Sequence, residues 1–281
     1  MRLVFFGTPL DAVVALRALR DAGHEIVLVV TQPDRRRGRG GRSEPSPVKT
    51  AAEELGLAVR TPERAGDITG EVAASGAEVG VVVAFGQLLP EALLRSVPLG
   101  FVNVHFSLLP RWRGAAPVER AILAGDAETG VCIMAVEKGL DTGAVFARVS
   151  TPIGDDETAG ELRARLVALG TDLLVATLPK LVTITPTPQS GTVTSAPKLA
   201  VEEFALDFSR PPGELVRLVR AGNPRPGAWT TIDGRRLKVW RARADDHGAF
   251  ELLEVQPEGR ARMSGDAWSR GRRDAPVRFG S

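Results

Sequence analysis

The sequence has almost no cysteine and no long apolar run, and both absences limit where the protein can work. Cys132 is the single cysteine among 281 residues, so no disulfide can form within the chain. No apolar run reaches the roughly 18–20 residues that a membrane-spanning helix needs, and no signal peptide precedes the first predicted strand. We therefore expect a cytoplasmic protein without a membrane segment.

Clustered metal ligands and an excess of either charge are also missing. Three histidines and one cysteine lie scattered along the chain, and this scatter predicts no metal site. The 36 basic residues nearly balance the 34 acidic ones, so the net charge of +2 does not by itself require a nucleic-acid partner. Whether such a partner exists depends on where the basic residues lie.

The glycines of the common phosphate-binding turns are absent as well. The first predicted strand-to-helix turn, FGTPLDAV, contains a single glycine, Gly7. A dinucleotide-binding turn needs three glycines, for the tight turn, the pyrophosphate and the close helix. The P-loop string GxxxxGK[ST] does not occur either. The turn is therefore better explained as a simple connection than as an NAD, FAD or P-loop site.

Apolar runs alternate with segments of helical periodicity over residues 1–182. This alternation is typical of an α/β fold with a doubly wound, mostly parallel sheet. The predicted strands are 2–6, 25–30, 57–60, 79–84, 101–104, 130–136 and 144–151, and the predicted helices are 10–22, 47–56, 67–75, 90–96, 116–124 and 157–181.

The pattern changes at residues 183–197, which contain three prolines, many threonines and no charged residue. We interpret this segment as a linker between a catalytic domain at 1–182 and a second domain at 198–281. Beyond one predicted helix, the second domain consists of short alternating segments separated by turn signals such as Asp233-Gly234. These segments predict a small β-rich domain of the OB-like type.

The strongest candidate site lies at the end of the strand predicted at 101–104. Asn103 and His105 are two residues apart, so their side chains lie on one face of the strand. Ligands of open α/β sheets bind beyond the carboxyl ends of the strands. The other two histidines, His24 and His247, occur in polar turns. A strand histidine is as often structural as catalytic, so position alone leaves both roles open for His105.

Asp141 is the second candidate, in the loop EKGLDTG that follows an apolar strand. Aspartate and glycine favour turns, so one interpretation of this loop is turn chemistry alone. The functional interpretation pairs the Asp141 carboxylate with His105. An amide, an imidazole and a carboxylate at one sheet edge suit acyl transfer: Asn103 and His105 can donate to a developing oxyanion, and Asp141 can help to remove a proton from an attacking amine.

Longer motifs carry a resemblance to a known family. They are NVHFSLLPRWRGAAPVERAI, GLDTG, FGTP, TQPDRRRGRG, PSPVK and VVAFGQLLP, with APKL, RAGNPRPGAWT and LKVW downstream. In these motifs the chain resembles the formyltetrahydrofolate-dependent formyltransferases over almost its whole length, and in the downstream ones it resembles the members that act on methionyl-tRNA. The family fold is a doubly wound formyltransferase domain followed by an OB-like barrel. Against that pattern, the second domain of this chain is short.

The resemblance implies an activity and a set of site residues. The activity is transfer of the formyl group of 10-formyltetrahydrofolate to the amino group of methionyl-initiator tRNA, without a metal. We also expect a monomer. The implied catalytic residues are Asn103, His105 and Asp141, and the implied folate-binding residues are Ser107, Leu108, Leu109, Pro110, Phe85, Gly86 and Leu88.

Basic residues cluster in RRRGRGGR, residues 35–42, which hold five arginines and no acid. This segment is either a flexible solvated loop or a loop that contacts phosphates and orders on nucleic acid. An insertion at this place in the resembled family reaches the tRNA acceptor stem. The candidate tRNA-binding residues are Arg35, Arg36, Arg37, Arg39, Arg42 and, in the second domain, Lys198.

Two other functions stay open at the level of sequence. The first is N-formylation of a small amine such as an amino-sugar nucleotide, which the arginine-rich segment and the downstream motifs disfavour. The second is an inactive relative that binds tRNA or folate. The presence of all three implied catalytic residues, Asn103, His105 and Asp141, disfavours this second alternative, whereas the short second domain favours it.

Overall fold

The computed structural model describes residues 1–36, 43–244 and 248–272, and strands and helices alternate through its first half. The strands are β1 (Arg2–Gly7), β2 (Glu25–Val30), β3 (Arg35–Arg36), β4 (Ser43–Glu44), β5 (Val59–Arg60), β6 (Val79–Val83), β7 (Phe101–His105), β8 (Arg113–Gly114), β9 (Glu128–Ala135), β10 (Val145–Pro152), β11 (Ser195–Ala196), β12 (Ala228–Ile232), β13 (Arg235–Ala244), β14 (Phe250–Pro257) and β15 (Met263–Ser264).

The helices include every long helix that the sequence pattern predicted. They are α1 (Leu10–Asp21), α2 (Pro47–Glu54), α3 (Thr69–Ala74), α4 (Glu91–Leu94), α5 (Pro117–Ala124), α6 (Ala159–Thr177), α7 (Pro212–Gly222) and α8 (Gly265–Arg270), with 3₁₀ turns at Ala65–Ile68, Leu178–Lys180 and Val201–Phe204.

Among the described residues, the main sheet has seven strands, in the order β10-β9-β7-β6-β1-β2-β5. The pairs β1–β2, β1–β6, β2–β5 and β6–β7 are parallel, whereas β9 runs antiparallel to β7. The prediction of a mostly parallel α/β sheet is therefore confirmed. The chain adds β2 and β5 on one side of β1, then β6 and its successors on the other. This reversal of strand order makes the carboxyl ends of β1 and β6 the place where such sheets bind ligands.

Aromatic packing anchors the strands beside this switch point. Phe6 of β1 meets Phe85 and Phe101 edge to face, with ring centroids 5.2 and 5.4 Å apart. Such aromatic pairs contribute about 0.5–1.5 kcal/mol beyond the area they bury. All three rings are buried in one apolar cluster with valines of β1, β2 and β6. The core thus joins β1, β6 and β7 and holds their carboxyl ends in a common edge.

The chain divides into two compact units of interleaved segments. The first unit comprises 1–113, 130–150 and 164–194, and the second comprises 114–129, 151–163 and 195–281. In the second unit, α7 packs against α5 and β13. Its sheet is antiparallel, in the order β12-β13-β14-β15, which confirms the predicted small β-rich C-terminal part. Within the described residues this sheet has four strands, whereas an OB-fold barrel has five.

Candidate active site

Strand β7 brings Asn103 and His105 to the edge next to the switch point. Asn103 lies beside Val82 of β6 and opposite Met134 of β9. His105 is the last residue of β7, and its side chain is buried. The two side chains share one strand face because side chains alternate along a strand. Folding therefore places both predicted residues where the sequence argument put them.

The two ring nitrogens of His105 have different neighbours. Nε2 lies 2.9 Å from the carbonyl oxygen of Trp112. A carbonyl only accepts, so Nε2 carries a hydrogen and donates it. The other ring nitrogen, Nδ1, faces Asp141. It lies 3.7 Å from Oδ2 of Asp141, and the two side chains are 6% and 15% exposed. The structure thus brings His105 and Asp141 together as a nearly buried pair.

Both residues that face His105 have an uncommon backbone conformation. The φ angle is 64° at Trp112 and 52° at Asp141, in the left-handed region that residues with a side chain rarely adopt. Each such residue costs of order 1–3 kcal/mol and persists only where its surroundings hold it. Strain of this kind is common at functional sites, and two of the four non-glycine residues with positive φ in the described part of the chain contact the imidazole of His105.

The predicted folate-binding loop after β7 has an inward and an outward side. Ser107 is buried, and its hydroxyl donates to the carbonyl oxygen of Arg111 at 2.6 Å. Leu109 is buried in a cluster with Cys132, Met134 and Val145. By contrast, Leu108 and Pro110 are half-buried. The first two side chains therefore shape the loop, and the latter two are the ones a ligand can reach.

The second predicted folate loop, after β6, is built the same way. The Phe85 ring lies in the core, and its carbonyl oxygen accepts from Thr8 Oγ1 at 2.8 Å and Gln32 Nε2 at 3.2 Å. Gly86 is exposed and has a φ of 87°. The Leu88 side chain is 78% exposed. Any ligand at this loop therefore meets backbone groups and the Leu88 side chain, not the Phe85 ring.

The candidate tRNA-binding residues are described only in part. Arg37, Arg39 and Arg42 lie outside the described residues. The backbone of Arg35 and Arg36 forms β3, which pairs antiparallel with β4. Lys198 is exposed, and Arg120 donates to its backbone carbonyl oxygen. The role of these six residues in binding tRNA therefore stays a prediction.

Cys132 lies directly across from His105 in the β7–β9 ladder. The two residues are far apart in sequence, so no sequence pattern indicated this contact. Burial raises the pKa of its thiol, against the opposing effects of the Leu109 backbone N–H and the Arg148 charge. A thiol with a raised pKa stays protonated near neutral pH and is a poor nucleophile. Cys132 packs against Leu109 as a small apolar residue does.

We expect Cys132 to be inert in the folded chain. Because burial raises the thiol pKa, iodoacetamide near neutral pH should alkylate the native protein far more slowly than the denatured protein. Intact-mass measurement gives a clear count, since the chain has one cysteine. Equal rates in buffer and in concentrated guanidinium chloride would contradict the buried, protonated thiol.

Residues 1–36, 43–244 and 248–272 lack two further features. Among those residues, no group of three or more His, Cys, Asp or Glu side chains is placed to hold a metal ion. No helix in the same ranges is long and apolar enough to cross a membrane.

Comparison with known families defines the class of protein. The model described as "Formyl transferase" matches residues 1–178, and that described as "Formyl transferase, C-terminal domain" matches 198–249. Both models describe formyl transferases, and together they match most of the chain, so the chain is by class a formyl-transferring enzyme.

Sequence identity to individual relatives shows which family within this class the chain belongs to. The chain is 47% identical to the methionyl-tRNA formyltransferase of Paracoccus denitrificans over 94% of its own length and 95% of the relative's. It is 51% identical to that of Dinoroseobacter shibae over 90% and 87%. The chain belongs to the methionyl-tRNA formyltransferase family.

Solved structures agree on the fold. The methionyl-tRNA formyltransferase from Clostridium thermocellum matches with a TM-score of 0.62 at 16% identity, over 92% of this chain and 98% of that one. HypX from Aquifex aeolicus in complex with tetrahydrofolic acid matches with a TM-score of 0.68 at 14% identity, over 100% of this chain and 50% of that one.

Proposed function

We propose that the chain transfers the formyl group of 10-formyltetrahydrofolate to the amino group of methionine esterified to initiator tRNA, for translation initiation. The relatives named for this activity, at 44–51% identity, support the substrate. The observation that carries the chemistry is the pair of His105 Nδ1 and Asp141 Oδ2, 3.7 Å apart at the carboxyl edge of the sheet.

In the proposed mechanism the site residues stabilise the charge that develops during the reaction and transfer one proton. The methionine amine attacks the formyl carbon, a C–N bond forms, and negative charge develops on the formyl oxygen. Asn103 and His105 stabilise that charge as preorganised donors. The proton released by the amine passes to the Asp141 carboxylate and from there to the folate nitrogen as its bond to the formyl carbon breaks. Each proton that leaves the amine is thus returned to the leaving group.

The loops beside this pair fit a folate-derived formyl donor. A pterin is a flat ring with an apolar face and hydrogen-bonding edges. The exposed Leu88 and the half-buried Leu108 supply apolar surface, and the exposed backbone at Gly86 supplies hydrogen-bonding groups. Both loops follow neighbouring parallel strands, so they line one edge of the sheet. Small-molecule sites commonly combine apolar walls with a few polar groups in this way.

Basic residues for the tRNA come from the arginine-rich segment and from the second unit. In the second unit, Arg236 lies 4.0 Å from the centre of the Trp229 ring. Arginine and aromatic side chains together suit contacts with phosphates and bases. By contrast, Arg241 and Arg243 pair with glutamates, so their charges are already compensated. We therefore assign most of the electrostatic attraction to the segment at 35–42.

A direct assay tests the function. The purified chain should formylate methionine on charged initiator tRNA when 10-formyltetrahydrofolate is supplied, and it should leave an amino-sugar nucleotide unmodified. Mass spectrometry of the released amino acid and of the sugar detects both products. Transfer to the sugar in place of the tRNA would establish the small-amine alternative, and transfer to neither would establish an inactive relative.

We expect Gly143→Ala to impair transfer because Gly143 lies two residues after Asp141. A Cβ there would lie 1.9 Å from the backbone oxygen of Ala135, so the loop has to shift. Displacement of a catalytic group by about 1 Å can cost on the order of 10²-fold in rate. The measurement is kcat together with the melting temperature.

The matched control for that variant is Gly70→Ala in α3. A Cβ at Gly70 meets no atom within 4 Å, and alanine is favoured over glycine in a helix by about 1 kcal/mol. We expect unchanged kcat and slightly higher stability for this control. Normal turnover of Gly143→Ala would show that the Asp141 loop tolerates displacement.

A further inference from the structure

Gln189 lies in the segment interpreted as a linker, and both ends of its side-chain amide form hydrogen bonds with the active-site loops. Its Nε2 donates to the carbonyl oxygens of Asp141 and Gly143, each at 2.8 Å. Its Oε1 accepts from Nε and Nη2 of Arg113, at 3.0 and 2.7 Å. An amide offers two donors and two acceptor lone pairs, so all four are engaged. Carbonyls only accept and guanidinium only donates, which fixes the orientation of the amide.

The same segment also binds the second loop that contacts His105. Thr194 Oγ1 accepts from the backbone N–H of Trp112 at 2.8 Å. The carbonyl oxygen of Thr194 accepts from the N–H of Arg113 at 2.9 Å. Thr187 exchanges two backbone hydrogen bonds with the strand that follows the Asp141 loop. The segment 187–194 is therefore hydrogen-bonded to the loop that contains Trp112 and to the strand that follows the Asp141 loop. These two loops carry the groups that contact the His105 imidazole.

These bonds fall on the residues that need support. Trp112 and Asp141 are the two left-handed residues whose carbonyl and carboxylate face His105. Relaxing either backbone would move its group away from the imidazole. Because Gln189 binds the carbonyl of Asp141 itself, it fixes the peptide plane that follows Asp141. That plane sets where the carboxylate points.

We propose that Gln189 is a positioning residue of the active site, which holds the Asp141 carboxylate beside His105 and ties the Asp141 loop to Arg113. Gln189 acts through Asp141 and takes no part in the bond changes. Its effect on turnover rests on the function proposed above, whereas its effect on the two loops does not. A residue with only a structural role would cost stability and would act independently of Asp141.

Two variants of Gln189 test this role. Gln189→Glu keeps an oxygen toward Arg113 but loses both donors and places carboxylate oxygens against two carbonyls. Gln189→Met has similar length, removes every hydrogen bond and adds no charge. We expect kcat for formyl transfer to fall by about 10–100-fold in both, with KM for folate and for tRNA changing by less than about twofold, since the loss is one of positioning.

The matched control is Thr183→Ala, in the same segment. The Thr183 hydroxyl donates to the carbonyl oxygen of Lys180 at 3.0 Å, so its removal also deletes a side-chain-to-backbone hydrogen bond. Kinetics of this control should equal those of the parent. Parent-like kcat in both Gln189 variants would overturn the proposal.

A double-mutant cycle separates positioning from general structural support. In an Asp141→Asn background, Gln189→Glu should lower the residual kcat by less than about twofold, because the carboxylate that Gln189 positions is already gone. The same 10–100-fold loss in both backgrounds would mean that Gln189 acts independently of Asp141, and the proposal would fail.

Hydrogen exchange gives a readout that needs no substrate. Peptides covering 137–145 and 109–114 should exchange faster in both Gln189 variants than in the parent and in Thr183→Ala. Unchanged exchange in these peptides would overturn the proposed hold on the loops. If the parent failed to formylate tRNA but exchange accelerated as expected, the function would be wrong while the role of Gln189 in holding the loops would stand.

Discussion

Replacing Asp141 with asparagine is expected to lower kcat of formyl transfer by about 10²–10⁴-fold, the usual contribution of a positioned acid or base. The amide keeps the size of the side chain but cannot take the proton of the attacking amine. It also removes the negative charge 3.7 Å from His105 Nδ1. Because these contributions arise in the transition state, folate affinity should stay within about twofold of the parent. Single-turnover formylation of charged tRNA and a folate titration measure the two quantities.

The control for this variant is Asp21→Asn, at the exposed end of α1. It makes the same chemical change away from the site and should leave kcat unaltered. If Asp141→Asn turned over near the parent's rate, Asp141 would be only a turn residue, and the mechanism proposed for the His105–Asp141 pair would be wrong.

Replacing the five arginines of the arginine-rich segment with serine should give the second large effect, on tRNA binding. Each phosphate contact contributes about 0.7–0.9 to the slope of log affinity against log salt. Losing up to five contacts should therefore flatten the slope strongly and weaken binding most at low salt, where charges are least screened. Folate affinity should hardly change. The variant carries serine at Arg35, Arg36, Arg37, Arg39 and Arg42.

The control removes the same charge from elsewhere on the surface. Four of its arginines pair with glutamates, so their loss should leave the salt slope nearly unchanged. The control carries serine at Arg17, Arg20, Arg60, Arg95 and Arg210. Binding of tRNA across a salt series compares the two variants. Parallel curves for parent, test and control would show that the segment is solvated surface and would strengthen the small-amine alternative.

The amino-acid pattern alone predicts the α/β architecture and two residues of the candidate site. Alternating apolar runs and helical segments predict the sheet because burial imposes the same periodicity on any chain. Asn103 and His105 share a face for the simple reason that a strand repeats every two residues. The loop EKGLDTG suggested Asp141 as their partner, and the family motifs added the folate loops to the candidate site. All of these inferences depend on which residue type stands at which spacing.

The contacts that set the geometry of the site arise from the folded path of the chain and could not be predicted from the sequence. The antiparallel direction of β9 places Cys132 opposite His105, and strand direction leaves no trace in a run of apolar residues. The Trp112 carbonyl that receives the His105 hydrogen is a backbone group, which every residue has, so no residue type marks it. Gln189 is the one amide in a segment of prolines and threonines, which is a weak signal. Its partners lie 46–76 residues away in sequence, and contacts at such separation depend on the path of the folded chain rather than on local pattern.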